Sequence, residues 1–164
     1  MKKLLFITLA IITLLFGCCS CQKQEQAGKT VNFYYRANEP KYGSGDGIYS
    51  IEVREVTYGL TDYQKIIEDY LRGARITTGF SPFPPGTTLV NLSIKNSDLT
   101  IELSPHMALQ SNAEVIVCCA CLCKTLFSLP DVRKVTFCIE NREINGEESI
   151  TFDKNSFVNW NVLS

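Results

Sequence analysis

The longest unbroken apolar run beyond the amino-terminal segment spans Val115 to Cys123, inside SNAEVIVCCACLCKTLFSL, Ser111 to Leu129. Ser111 and Glu114 have the spacing of a capping box, and Leu129-Pro130 supplies a stop, so the pattern predicts a helix there. A helix apolar nearly all round must be buried on several sides, which makes it the core helix of the fold. Its apolar run is well below the roughly 20 residues that a membrane span requires.

Elsewhere the period changes. Val31, Phe33 and Tyr35 alternate with Asn32, Tyr34 and Arg36, and Tyr49, Ile51 and Val53 alternate with Ser50, Glu52 and Arg54, as in half-buried strands. Thr61 and Gln64 have capping-box spacing before a helix in which Tyr63, Ile66, Ile67, Tyr70 and Leu71 form one apolar stripe, closed by Gly73. A stiff loop, Gly79 to Gly86, follows with three prolines and two phenylalanines, Phe80 and Phe83. Two alternating stretches around the turn Asn96-Ser97-Asp98 read as a hairpin, Val90, Leu92 and Ile94 before the turn and Leu99, Ile101 and Leu103 after it. After the core helix come a strand carrying Val135, Phe137 and Ile139 and a short one around Ile150 to Phe152.

The order is ββαββαββ. Strand pairs separated by single helices predict an α+β fold with a mainly antiparallel sheet of about six strands and two helices packed on one face. The other face would carry Glu52, Arg54, Lys95 and Glu102 toward water or a partner.

With 164 residues the chain has room for one domain able to bury its own core. Lys2 and Lys3, an apolar run from Leu4 to Phe16 and the small Gly17 make residues 1–17 read as an export signal. Leu15-Phe16-Gly17-Cys18 resembles a bacterial lipobox, in which Cys18 would take the lipid and become the mature first residue. Two or more acyl chains suffice for stable anchoring, so the expected location is extracytoplasmic and membrane-tethered. Residues 18–29 are then the lipidated end and a polar tether, and the folded domain is expected over 30–164.

The formal charge of -1 and the absence of any basic cluster remove the electrostatic footprint of a nucleic-acid binder. Cys118, Cys119, Cys121 and Cys123 crowd one helix, where successive side chains point about 100° apart and cannot converge on one tetrahedral ion. They read as small hydrophobes, and no metal or cofactor is expected. His106, the single histidine, would need an exposed thiol to act with a cysteine nucleophile. Carboxylates are scattered with no spacing that selects a pair, and Gly43 to Gly47 lacks the following helix of a phosphate loop.

The segments FYY, GIYSIEVREV, SPFPPGTTL and TLFSLPDVRKV, in this order with a helix after the second, resemble the GerMN domain of bacterial sporulation and spore-germination lipoproteins. The resemblance covers about Val31 to Phe157. It implies an extracytoplasmic α+β domain without an established catalytic centre, related in shape to ring-building modules of cell envelopes. Two features depart from it: four cysteines replace the Ala, Leu and Ile of the family helix, and Asn141-Arg142 stands where Asp-Gly is usual. The expectation is a non-catalytic binding or assembly module that meets an envelope protein or a second copy through Phe80, Phe83, Glu52 and Arg54. A cell-wall or small-molecule binder is the alternative reading, and a hydrolase the more distant one.

Overall fold

The computed structural model describes residues 28–41, 47–140, 142–144 and 146–155. The elements run β1 (Lys29–Ala37), β2 (Tyr49–Val56), α1 (Tyr63–Leu71), β3 (Gly79–Phe80), β4 (Leu89–Lys95), β5 (Asp98–Leu103), a 3-10 turn (Pro105–Met107), α2 (Asn112–Phe127), β6 (Lys134–Ile139) and β7 (Ser149–Asp153). The α+β class and the alternation of strand pairs with single helices are those the sequence predicts. The export signal, Cys18, the tether as far as residue 27 and Gly43 to Asp46 lie outside the described residues, and Lys29, expected at the end of the tether, opens β1.

The strands divide between two sheets, ordered β2-β1-β3 and β4-β5-β6-β7. All pairings are antiparallel except β5 with β6, which run parallel and are joined by the crossover through α2. The division has a local cause. Along the edge of β1 not taken by β2, the Tyr34 amide donates to Thr125 Oγ1 of α2 at 2.9 Å, and the Tyr34 carbonyl accepts from Tyr70 Oη of α1 at 2.8 Å. Side chains from the two helices thus occupy backbone groups that a further strand would have used.

Both helices form where their caps direct. Ser111 and Glu114 make the full reciprocal capping box on α2. On α1 the cap is Asp62, whose side chain accepts from the Lys65 amide at 3.4 Å, and not Thr61. Helical geometry starts one residue later than the Thr61-Gln64 spacing implies, and aspartate caps as well as threonine does. Gly73, with φ of +99°, ends the helix in the left-handed conformation glycine adopts without penalty.

The short strand β3 was not foreseen, because two residues inside a proline-rich loop carry no period. Gly79 explains why the contact is so close: a Cβ there would stand 2.5 Å from the Ser50 Cβ. One continuous core runs from Val31 to Phe152, with Phe33, Tyr35, Tyr70, Ile101, Leu122, Leu126 and Phe137 fully buried. Tyr35 and Tyr70 stack at 4.7 Å between centroids, and Phe83 meets Tyr70 edge-on at 5.9 Å, so α1 and the proline loop share one aromatic cluster. Among the described residues every core side chain lies between Val31 and Phe152, and we take residues 28–164, which contain this core, as the folding unit.

Candidate docking face of the three-stranded sheet

The facing of β2 is the reverse of what its hydrophobicity suggests. Antiparallel register sets Phe33 opposite Glu52 and Val31 opposite Arg54, and directly opposed residues share a face. Ser50, Glu52, Arg54 and Val56 therefore point inward, and Ile51 and Val53 point out, 46% and 64% exposed. The expectation that Glu52 and Arg54 line a solvent face is corrected: each is 5% exposed.

Chemistry allows the inversion. Arg54 forms a bidentate pair with Glu52 through Nε and Nη2. Its other protons go to the Asp69 carbonyl (3.0 Å), the Gly73 carbonyl (2.8 Å) and Tyr35 Oη (2.9 Å). The guanidinium plane lies 4.4 Å from the Phe33 ring centroid, a cation–π contact that a lysine would reproduce poorly. Glu52 also accepts from the Arg75 amide at 2.8 Å. Burial alone would raise the Glu52 pKa. The hydrogen bonds from Arg54 and Arg75, with the Arg54 charge, outweigh it and hold the carboxyl below its ordinary value. Burial pushes the Tyr35 phenol up to about 12, against the opposing effect of Arg54. Among the described residues no buried side-chain polar atom lacks a partner. This network fastens β2 to the C-terminal end of α1; it is internal scaffolding, not a contact surface.

The two phenylalanines of the proline loop separate. Phe80 is 44% exposed on β3, with the Arg36 guanidinium 5.6 Å from its ring centroid. Phe83, expected to greet a partner, is buried in the aromatic cluster, because Cys118 Sγ of α2 donates to the Pro82 carbonyl at 2.9 Å and draws the loop inward.

The outward face thus assembled contains Tyr34, Arg36, Tyr49, Ile51, Val53 and Phe80. Tyr34 meets Tyr49 edge-on at 5.9 Å, and the Lys124 ammonium of α2 stands 5.6 Å and 5.7 Å from their ring centroids. Beside them Arg36, Pro40, Ile48, Tyr49 and the α2 residues Ile116, Val117, Ala120 and Cys121 line a cavity of about 190 Å³. That is smaller than the roughly 300–1,000 Å³ of small-molecule sites and suits a single inserted side chain. The face is apolar at its centre, bordered by the cations Arg36 and Lys124, and carries one exposed carboxylate, Glu55, beside Val53 near the end of β2.

Reactive groups elsewhere are occupied. The Cys118 and Cys121 thiols are pushed up to about 12 by burial, and burial also raises Cys119 and Cys123 well above the ordinary thiol value, so none supplies thiolate near neutral pH. Cys138, opposite in parity to Val135 and Phe137, is half-buried away from α2. His106 Nδ1 bonds Ser104 Oγ at 3.0 Å, and that oxygen accepts from the Thr88 amide. Asp69 is held by Tyr58 Oη at 2.6 Å and by Arg72 at 2.6 Å, which ties it to structure. Among the described residues no cluster of three or more His, Cys, Asp or Glu could hold a metal, and no helix is long and apolar enough to cross a membrane.

No curated protein matches the chain by sequence. Among solved structures, the first GerMN domain of the Bacillus subtilis sporulation protein GerM superposes with a TM-score of 0.55 at 17% identity, over 76% of this chain and 96% of that one. The tandem GerMN domains of the same protein give a TM-score of 0.52 at 18% identity, over 77% of this chain and 45% of that one, so this chain spans about half the tandem. At such identities the likeness establishes the fold. The family itself is fixed by a sequence match over residues 32–145 to the Germane model, described as sporulation and spore germination. The chain belongs to the Germane, or GerMN-domain, family.

Proposed function

We propose that this protein is a lipid-anchored, extracytoplasmic assembly module that works by protein contact and not by catalysis, and that its outer β1–β2–β3 face associates with a second copy. The single observation that supports this most strongly is the outward placement of Ile51 and Val53 of β2 and Phe80 of β3 around the tyrosine pair, while Glu52 and Arg54 of β2 are buried instead. Contiguous exposed apolar surface of this kind marks interaction sites in proteins that otherwise keep such groups inside. The tandem arrangement of GerMN domains in the Bacillus relative is consistent with modules that function side by side. Sedimentation of residues 28–164, with and without Ile51→Asp and Val53→Asp, tests the association.

Anchoring rests on the lipobox resemblance at Cys18. Expressed in a bacterium with a lipoprotein pathway, the full chain is expected to incorporate labelled palmitate and fractionate with membranes, and Cys18→Ala to lose both. Retained label in that variant would move the acylation site elsewhere.

A further inference from the structure

A second surface, remote in sequence from the first, lies along the outer edge of the four-stranded sheet. Strand β4 pairs with β5 on one side, and among the described residues no strand pairs with its other edge. Ile94 lies opposite Leu99 and Leu92 opposite Ile101, so both belong to the core-facing side of the sheet. Yet Ile94 remains 51% exposed and Leu92 half-buried, because the sheet stops there. Helix α1 runs beside this overhang. Between them two adjoining cavities, about 400 Å³ and 570 Å³, share Glu68 and Leu89 in their walls.

We propose that this groove accepts an extended segment of another protein as an added β-strand, apolar at alternate positions and carrying a lysine or arginine that meets Glu68. Three features converge on that occupant. An edge strand offers a row of backbone donors and acceptors that only another extended backbone satisfies in full. A helix flanking such an edge leaves room for every second side chain of the incoming strand, the arrangement in which backbone bonds supply affinity and alternate pockets supply specificity. Glu68, at the junction of the cavities, accepts only from the neutral Gln64 amide at 2.9 Å and is ion-paired with no cation among the described residues. The bulge between Leu89 and Asn91 leaves regular register from Asn91 to Lys95, long enough for a short ladder.

The test uses residues 28–164, panned against a displayed library of random short peptides, with recovered peptides synthesised and titrated into the isotope-labelled protein. The expected peptides alternate apolar residues and carry Lys or Arg, and their amide shift changes map to Leu89–Lys95 and Tyr63–Leu71. Methylating alternate backbone nitrogens of the peptide should abolish binding. Glu68→Lys, with its spectrum otherwise unchanged, should weaken binding about tenfold, as expected for one charge-assisted hydrogen bond. Recovery of no peptide, shifts that map elsewhere, undiminished binding after methylation, or occupation of β4 by a second copy of the chain would each overturn the proposal.

Discussion

Replacing Arg54 with methionine is expected to destabilise the domain by about 3–5 kcal/mol, the range seen when one member of a buried ion pair is removed. The loss is large because what remains is worse than what is lost. Glu52 would keep its place 5% exposed in the core without its counter-ion, and Tyr35 Oη and the Asp69 and Gly73 carbonyls would lose their shared donor. Arg54→Lys should recover little, since a point charge cannot reproduce the planar fork or the stacking on Phe33. Pairing Arg54→Met with Glu52→Leu should recover part, as apolar replacement of a buried pair often does. Denaturant unfolding of the variants gives the comparison directly.

The same pair predicts a change of sign with pH. In the wild type the folded-state pKa of Glu52 is below its unfolded value, so its contribution is present above the unfolded pKa and fades as pH falls through the folded one. In Arg54→Met burial, the largest influence, remains and raises the carboxyl pKa, opposed only by the hydrogen bond from the Arg75 amide and the Arg75 charge. That variant should therefore be most stable with Glu52 protonated and should lose stability as pH rises through its elevated pKa. Unfolding curves between acid and neutral pH should diverge, with the wild type gaining where the variant loses.

The second large effect separates the two phenylalanines of the proline loop. Phe83→Ala removes a buried ring that meets Tyr70 edge-on, and should cost about 3–5 kcal/mol, as core aromatic truncations do. Phe80→Ala removes a 44% exposed ring that lies outside the core cluster, and should change stability by no more than about 0.5 kcal/mol. If Phe80 contributes to the interface, its truncation should instead weaken self-association. Equal stability losses at both positions would contradict the placement of the loop.

These effects also locate where the sequence could be read and where it could not. Helix α2 was legible because two independent signals agree, a capping box at Ser111 and an apolar run ended by Pro130. The β4–β5 hairpin was legible because Asn96, at φ of +58°, has the side chain that best tolerates a tight turn. The facing of β2 was not, because a period of two says that faces alternate but not which one is inside. Hydrophobicity chose Ile51 and Val53. The true inward set is polar because Glu52 and Arg54 neutralise one another and Phe33 and Tyr35 supply a stacking surface, a pairing visible only once register is known. The split into two sheets was hidden for a related reason: Thr125 and Tyr70 reach the β1 backbone from helices distant in sequence. Two of the residues that now define the docking face, Ile51 and Val53, therefore read as core from the sequence, and Phe80 of the proline loop is 44% exposed.

The measurement that bears most directly on this account is sedimentation velocity of residues 28–164 over a wide concentration range in reducing buffer, alongside the Ile51→Asp and Val53→Asp variants. The expected result is a reversible increase in sedimentation coefficient with concentration for the wild type, and a monomer at every concentration for both variants, with unfolding midpoints unchanged. A wild type that stays monomeric throughout, or variants that associate as strongly as the wild type, would contradict the assignment of this face as a self-association surface.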